Sequence, residues 1–222
     1  MRITSSHCSP PSSGTGGAFT FGGLSLKRLA VIIDFQNVHL TARDTFAPHG
    51  TPAHETLVHP VKVAEELTAR WNELNPDEQA ELVTVHAFRG APSNKQQPDL
   101  YKATQRQKSE WTRDRRLELT YRTLRYTNRP NVPPREKGVD VLVALNLVKL
   151  AASGDYDIVV LAAHDTDLEP ALEMAVADGG ATVVTGGWTG CKVLARQLKL
   201  RHLALDSAAF MRARDRRQYY DQ

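Results

Sequence analysis

Cysteine is nearly absent from this chain of 222 residues, which has only Cys8 and Cys191. Two cysteines so far apart form neither a disulfide framework nor a zinc-binding spacing. Reduced thiols and a cytoplasmic location are the expectation. No run approaches the ~20 apolar residues of a membrane-spanning helix. The first residues also lack the apolar centre of a signal peptide, so no membrane partner is expected. Strong charge of one sign is missing too, since the formal net charge is +3. Its distribution says more than its size. Between Lys95 and Lys137, 12 Lys and Arg stand against 5 Asp and Glu, so the remainder of the chain is net acidic. A basic stretch in an acidic protein suits a polyanionic substrate.

What is present is the composition of a globular domain, with 41% hydrophobic and 24% charged residues. A chain of this length buries a full core in one domain. Residues 1–26 are rich in Ser, Gly, Pro and Thr and bury too little apolar surface to offset the entropy of ordering. They are expected to form a disordered extension. Residues 27–206 carry the domain, and 207–222 a basic C-terminal helix or tail. Continuous apolar runs mark strands buried on both faces. These cover residues 29–33, 82–88, 117–124, 157–163 and 181–185, with a short strand near 202–205. Helical periodicity predicts helices over 61–72, 98–115, 137–152, 168–177, 193–198 and 207–214. The stretch after the first strand reads as loop, punctuated by Pro48, Gly50, Pro52 and Pro60, and residues 127–134 read as loop as well. Strands alternating with helices imply a three-layer α/β/α domain with a mostly parallel sheet.

Acidic residues stand where that architecture would place a site. Leu29-Ala30-Val31-Ile32-Ile33 ends in Asp34, and Ile158-Val159-Val160-Leu161-Ala162-Ala163 leads to Asp165-Thr166-Asp167. Ligands of parallel sheets bind beyond the carboxyl ends of the strands. Asp140 falls in the first turn of the helix over 137–152 and can face the same edge. Each acid has an ordinary structural explanation, because Asp favours helix N-caps and first turns. Together, Asp34, Asp140, Asp165 and Asp167 are better explained as ligands of a divalent cation, which relieves their repulsion. Oxygen-only ligands favour Mg2+ or Mn2+ over zinc.

The motifs resemble those of a known family. Residues 29–38, with Asp34-Phe35-Gln36-Asn37, are similar to the opening strand-Asp-x-x-Asn motif of NYN domains in the PIN-like nuclease superfamily. Glu136-Lys137-Gly138-Val139-Asp140 resembles the central Lys-Gly-Val-Asp motif. Residues 158–168, ending His164-Asp165-Thr166-Asp167-Leu168, resemble the third motif. The LabA-like, or DUF88, subgroup is the nearest in pattern. The resemblance implies a PIN-like fold and a ribonuclease using Mg2+ or Mn2+ at Asp34, Asp140, Asp165 and Asp167, with Asn37 orienting substrate or a metal ligand. Two positions depart from the pattern. Ala163-His164 replaces Ser-Gly, which makes His164 a candidate phosphate contact, though a lone His is more often a local hydrogen-bond partner. Asn146 stands where many relatives carry Asp. Six residues turn a helix through about 600°, so Asn146 faces away from Asp140 and reads as a hydrogen-bonded helix residue.

Cations interleaved with aromatics in the basic stretch are the pattern of single-stranded RNA binding. Arg106 and Arg113 are candidate substrate contacts. So is Trp188, which either stacks on a base or covers the core. A homodimer is compatible with the sequence. Two other functions stay open: an RNA-binding or regulatory protein without catalysis, and a Mg2+-dependent phosphohydrolase. The second is weakened by Gln36, which stands where an Asp-x-Asp pair after the first strand would need its second acid.

Overall fold

The structure, a computed structural model, describes residues 20–21, 24–127 and 132–220. Most of the extension expected over 1–26 lies outside the described residues. Its described part forms a small antiparallel ribbon, β1 (Thr20–Phe21) with β2 (Leu24–Ser25). The expected loop at 127–134 is also partly outside them; its flanks meet where Arg125 and Arg135 pair in an antiparallel bridge.

Six parallel strands form the central sheet: β3 (Lys27–Asp34), β4 (Ala80–Ala91), β5 (Leu117–Thr123), β6 (Ile158–Ala162), β7 (Thr182–Trp188) and β8 (His202–Leu205). Their order is β5-β4-β3-β6-β7-β8. The chain builds outward from β3 through β4 to β5, then returns to place β6 against the other side of β3. That reversal opens a crevice at the carboxyl ends of β3 and β6, the switch point where ligands bind in such sheets.

β3 is apolar on both sides because both sides are covered. Leu29, Val31 and Ile33 join the core under α1 (Phe35–Phe46), α2 (Pro60–Leu74) and α6 (Ser207–Ala213). Ala30 and Ile32 join the opposite core under α4 (Val139–Ala152) and α5 (Glu169–Asp178). The remaining helix, α3 (Pro98–Trp111), contributes Ala103 and Trp111 to the first core. The two-residue alternation of a strand divides the residues between the layers. This is the three-layer α/β architecture that the alternating pattern implied. No helix among the described residues is long and apolar enough to cross a membrane.

Three segments differ from expectation. The stretch read as loop after Asp34 begins as α1, which buries Phe35, Val38, His39 and Ala42 at helical spacing. The breakers that suggested a loop start only at Pro48, beyond its end. The helix expected over 193–198 is a single 3-10 turn, Arg196–Leu198, flanked by left-handed Ala195 (φ 47°) and Lys199 (φ 50°). β7 extends through Gly186-Gly187 to Trp188, because Gly186 and Gly187 pair in register with Leu203 and Ala204 of β8. Strand pairing thus overrides the breaker tendency of the two glycines.

Trp188 is consequently a core residue, 1% exposed. Its Nε1 donates to the Val38 carbonyl at 2.8 Å, and its ring lies edge-on to Phe46 and Phe210. Trp188→Ala is expected to cost about 3–5 kcal/mol through the cavity it leaves. Urea unfolding of the two proteins measures this; a loss below about 1 kcal/mol would contradict the assigned packing.

Candidate metal centre

Asp34 ends β3 and at once caps α1, its carboxylate accepting the Asn37 N–H at 3.1 Å. Helix capping and delivery to the sheet edge are therefore one event. Only 3% of Asp34 is exposed. Burial pushes its pKa from 3.8 up to about 7; the Asn37 hydrogen bond opposes this, and the charges of Glu136, Asp140 and Asp165 add to it.

Asp140 comes from the first turn of α4, whose start is set by Gly138 at φ 77° and ψ 17°. That left-handed conformation favours glycine, which explains the residue before Val139. Asp140 is exposed, but its pKa is still raised, by partial burial first and then by the charges of Asp165 and Asp167. Asp165 follows β6 and caps the short turn Thr166–Leu168, accepting the Asp167 N–H at 3.0 Å. One carboxylate oxygen from each of Asp34, Asp140 and Asp165 lies within 4.8 Å of the other two. Three elements far apart in sequence thus converge at the switch point.

Asp167, expected as a fourth ligand, is outside this group. It is exposed and acts on the site as a neighbouring charge. The short turn that satisfies its backbone N–H separates its role from that of Asp165. A different acid is closer to Asp34 in effect. Glu136 accepts the Gly90 N–H and is the first of the charges that raise the Asp34 pKa. Burial raises the pKa of Glu136 itself, while Arg89 opposes the rise. Its approach requires glycine at position 90, where a Cβ would lie 2.6 Å from Glu136 Cγ and 2.5 Å from Leu124 Cδ2. Glu136 was visible as the residue before Lys-Gly-Val-Asp, but nothing in the spacing distinguished it from a surface acid.

Asn37 and His164 hold the crevice together. Asn37 Oδ1 accepts the His164 N–H at 2.8 Å, tying the start of α1 to the residue before Asp165. The His164 ring is committed elsewhere. Its Nδ1 meets the Lys192 carbonyl at 2.9 Å, and its Nε2 accepts the Trp188 N–H at 3.2 Å. This pattern fixes a neutral imidazole with the proton on Nδ1, and burial lowers its pKa accordingly. The ring rests on Gly187, where a Cβ would fall 2.3 Å from His164 Cε1. His164 is therefore a brace between the β6 and β7 exits, and both ring nitrogens are occupied before any phosphate arrives. Asn146 bonds the Leu142 carbonyl at 2.9 Å, as expected for a residue turned away from Asp140.

The expected substrate residues are redistributed. Trp188 is buried and has no face for a base. Arg106 donates to the Tyr219 carbonyl at 3.1 Å, and Arg113 pairs with Glu110 at 3.0 Å, so the structure places neither among the carboxylates. Arg89 on β4, one residue beyond Phe88, which pairs in register with Asp34, is a cation whose charge acts on Glu136. Its guanidinium donates to Gln107 Oε1 at 2.9 Å and lies 5.1 Å from the centre of the Phe35 ring. Arg89 falls outside the basic stretch of the sequence, so counting charge did not find it. Arg122 lies 3.5 Å from the position of a Cβ on Gly138, beside the start of α4.

The donor set suits a hard divalent cation. Three carboxylates of one sign converge, the most buried has its ionised form disfavoured, and no soft ligand is in the group. Such oxygen-only sets bind magnesium, manganese or calcium in preference to zinc.

Comparison with known proteins agrees with this geometry. Curated proteins give no match. Among solved structures, a protein of unknown function from Vibrio parahaemolyticus is similar with a TM-score of 0.52 at 18% identity, over 82% of this chain and 94% of that one. At that identity the likeness speaks for the fold. The model of the NYN domain family matches residues 28–198, a span that takes in β3, α4, β6 and all three converging carboxylates. The chain belongs to the NYN domain family of the PIN-like superfamily.

Proposed function

We propose that the protein is a metal-dependent endoribonuclease that hydrolyses phosphodiester bonds of single-stranded RNA. The observation that carries this reading is the convergence of Asp34, Asp140 and Asp165 at the switch point. The three motifs are most similar in pattern to the LabA-like subgroup, and the proposal takes the chain as one of its members. Mg2+ or Mn2+ held by these carboxylates supplies Lewis-acid polarisation of the phosphate and a lowered pKa for water. The side chains divide the remaining work. Asp34, locked by the Asn37 N–H, is the fixed inner ligand. Asp140, exposed at the helix start, stands where substrate enters. Asn37 keeps Asp165 in register with Asp34 by holding the backbone of His164. Arg89, fixed by Gln107 and Phe35, offers positive charge beside the acids, where a phosphate oxygen gains it. Glu136 and Asp167 flank the triad as charges and sharpen its need for a cation.

Asp165→Asn keeps the cap of the following turn, since Asn caps as well as Asp, but removes a ligand charge. It is expected to lower cleavage of labelled single-stranded RNA in manganese by at least about 100-fold, with the circular dichroism spectrum unchanged. Retained activity would sink the assignment.

The acids also make stability depend on pH and metal. A folded pKa above the unfolded value means that the folded protein binds more protons, so Asp34 costs nothing below about pH 4. The cost grows as pH rises from 3.8 to about 7, reaching ~4 kcal/mol above it. At pH 8 without divalent ions, Asp34→Asn should therefore unfold at a higher temperature than the native protein. Added manganese should raise the native midpoint and move the variant much less. Equal responses of the two proteins in a thermal scan would argue against Asp34 as a ligand.

A further inference from the structure

Beyond α6 the chain does not trail away. Residues 214–220 turn back across the helical layer as a strap. The Asp215 N–H bonds the Leu57 carbonyl at 2.8 Å. Its Oδ2 accepts from Trp111 Nε1 and from the Tyr219 hydroxyl, each at 2.7 Å. These contacts bury Asp215 and Tyr219 and leave Arg216, Arg217 and Tyr220 exposed on the outer side. A cavity of about 510 Å³ lies against the strap, bounded by His54, Arg214, Arg216, Arg217 and Tyr220 together with Glu55.

Arg214, Arg216 and Arg217 line this cavity against Glu55 and Asp215, so positive charge is in excess by one. The Asp215 carboxylate is taken up by Trp111, Tyr219 and the Arg217 N–H. Arg217 meets Glu110 at 3.2 Å in an ion pair whose guanidinium side chain is 55% exposed. Such an exposed pair holds its partners by less than about 1 kcal/mol and yields readily to a phosphate. Tyr220 stands edge-on to His54 at 5.3 Å, with 40% of its surface open. Exposed cations beside an exposed ring are the elements of a single-strand binding surface, in which the cations meet the backbone and the ring meets a base.

The strap is tied through the core to the residue that follows Asp34. Phe35, the residue after Asp34, lies 5.1 Å from the Trp111 ring, and Trp111 holds Asp215. Phe35 and Trp111 are both buried, so this link is a packing link and a strand joining the two places runs over the surface. On the other flank, Arg89 bonds Gln107, next to Arg106, which bonds the Tyr219 carbonyl.

We propose that the cavity beside the strap is a second subsite for the RNA strand whose scissile phosphate lies at Asp34, Asp140 and Asp165. Arg216 and Arg217 meet phosphates there, and Tyr220 stacks on a base. The proposal rests on the ribonuclease reading and adds the path of the strand, from the carboxylates across α3 to the C-terminal segment.

The test measures binding separately from cleavage. Fluorescence anisotropy of a labelled single-stranded oligoribonucleotide is followed in chelator across a salt series, with native protein, Arg216→Ala/Arg217→Ala and Arg216→Lys/Arg217→Lys. Two lost phosphate contacts should make the slope of log affinity against log salt shallower by about 1.4, while the lysine variant keeps the native slope. Tyr220→Ala should weaken binding about tenfold with the slope unchanged. The thermal midpoints of all variants should match the native one, since the substituted side chains are exposed. An unchanged slope in the double alanine variant overturns the proposal, as does the absence of RNA binding by the native protein. A second arm titrates a labelled mononucleotide. If it binds as tightly as the strand and is lost with the same arginines, the cavity is a nucleotide pocket and the strand assignment falls. If the arginine-dependent slope is present but no variant or native protein cleaves RNA, the subsite stands and the nuclease reading fails.

Discussion

Repulsion among three carboxylates, one of them buried, is the constraint around which this molecule is arranged. Asp34 and Asp140 each carry a charge that the neighbouring acids disfavour, and Asp34 has almost no solvent to relieve it. A protein tolerates such a cluster only when the scaffold over-determines it. The scaffold here does so with backbone. β3 and β6 are hydrogen-bonded neighbours, so their exits are fixed relative to one another. Asn37 then binds the backbone of His164, and His164 braces the end of β7. Asp140 arrives on a separate helix whose start is governed by one left-handed glycine.

Much of this was legible in the amino-acid pattern because it rests on local rules. The runs ending at Asp34 and at Ala163 are apolar without alternation, which only a strand covered on both faces requires. The order of the carboxylates followed from the sheet-edge rule. What escaped was what only packing decides. The cap role of Asp34 concealed α1, since the same residue read as a ligand and suggested the end of an element. Glu136 and Arg89 act through the third dimension: one reaches Gly90, and the other is held by Gln107 from a helix 18 positions away. Trp188 follows two glycines, a context in which a loop and a strand look alike until the pairing of β7 with β8 is known. The hydrogen-bonded reading of His164 holds, but its partners, the Lys192 carbonyl and the Trp188 N–H, lie too far along the chain for spacing to name them.

The basic stretch shows the difference between a count and a surface. Arg113 and Arg116 pair with Glu110, Glu65 and Asp114, so part of the positive excess in the sequence already has local acidic partners. Arg89 comes from β4 and Arg216 and Arg217 from beyond α6, outside that stretch, while Arg122 beside α4 and Arg106, bonded to the strap, come from within it. A polyanion meets what folding leaves exposed, which is a different set from the one that composition ranks highest.

The return of the chain to β3 also ties the site to the folding reaction. Between Asp34 and Asp165 lie two strands that pair on the far side of β3 and a helix that covers the other face. Sheets assembled from such distant partners form late and cooperatively, because loop-closure entropy is spent before the contacts repay it. The central strands of such a sheet open only when the whole domain opens. Amide protons of β3 and β6 should therefore exchange with solvent at the rate of global unfolding. Because Asp34, Asp165 and Asp140 sit on β3, on the exit of β6 and on α4, the three acids come together only when all three elements are in place.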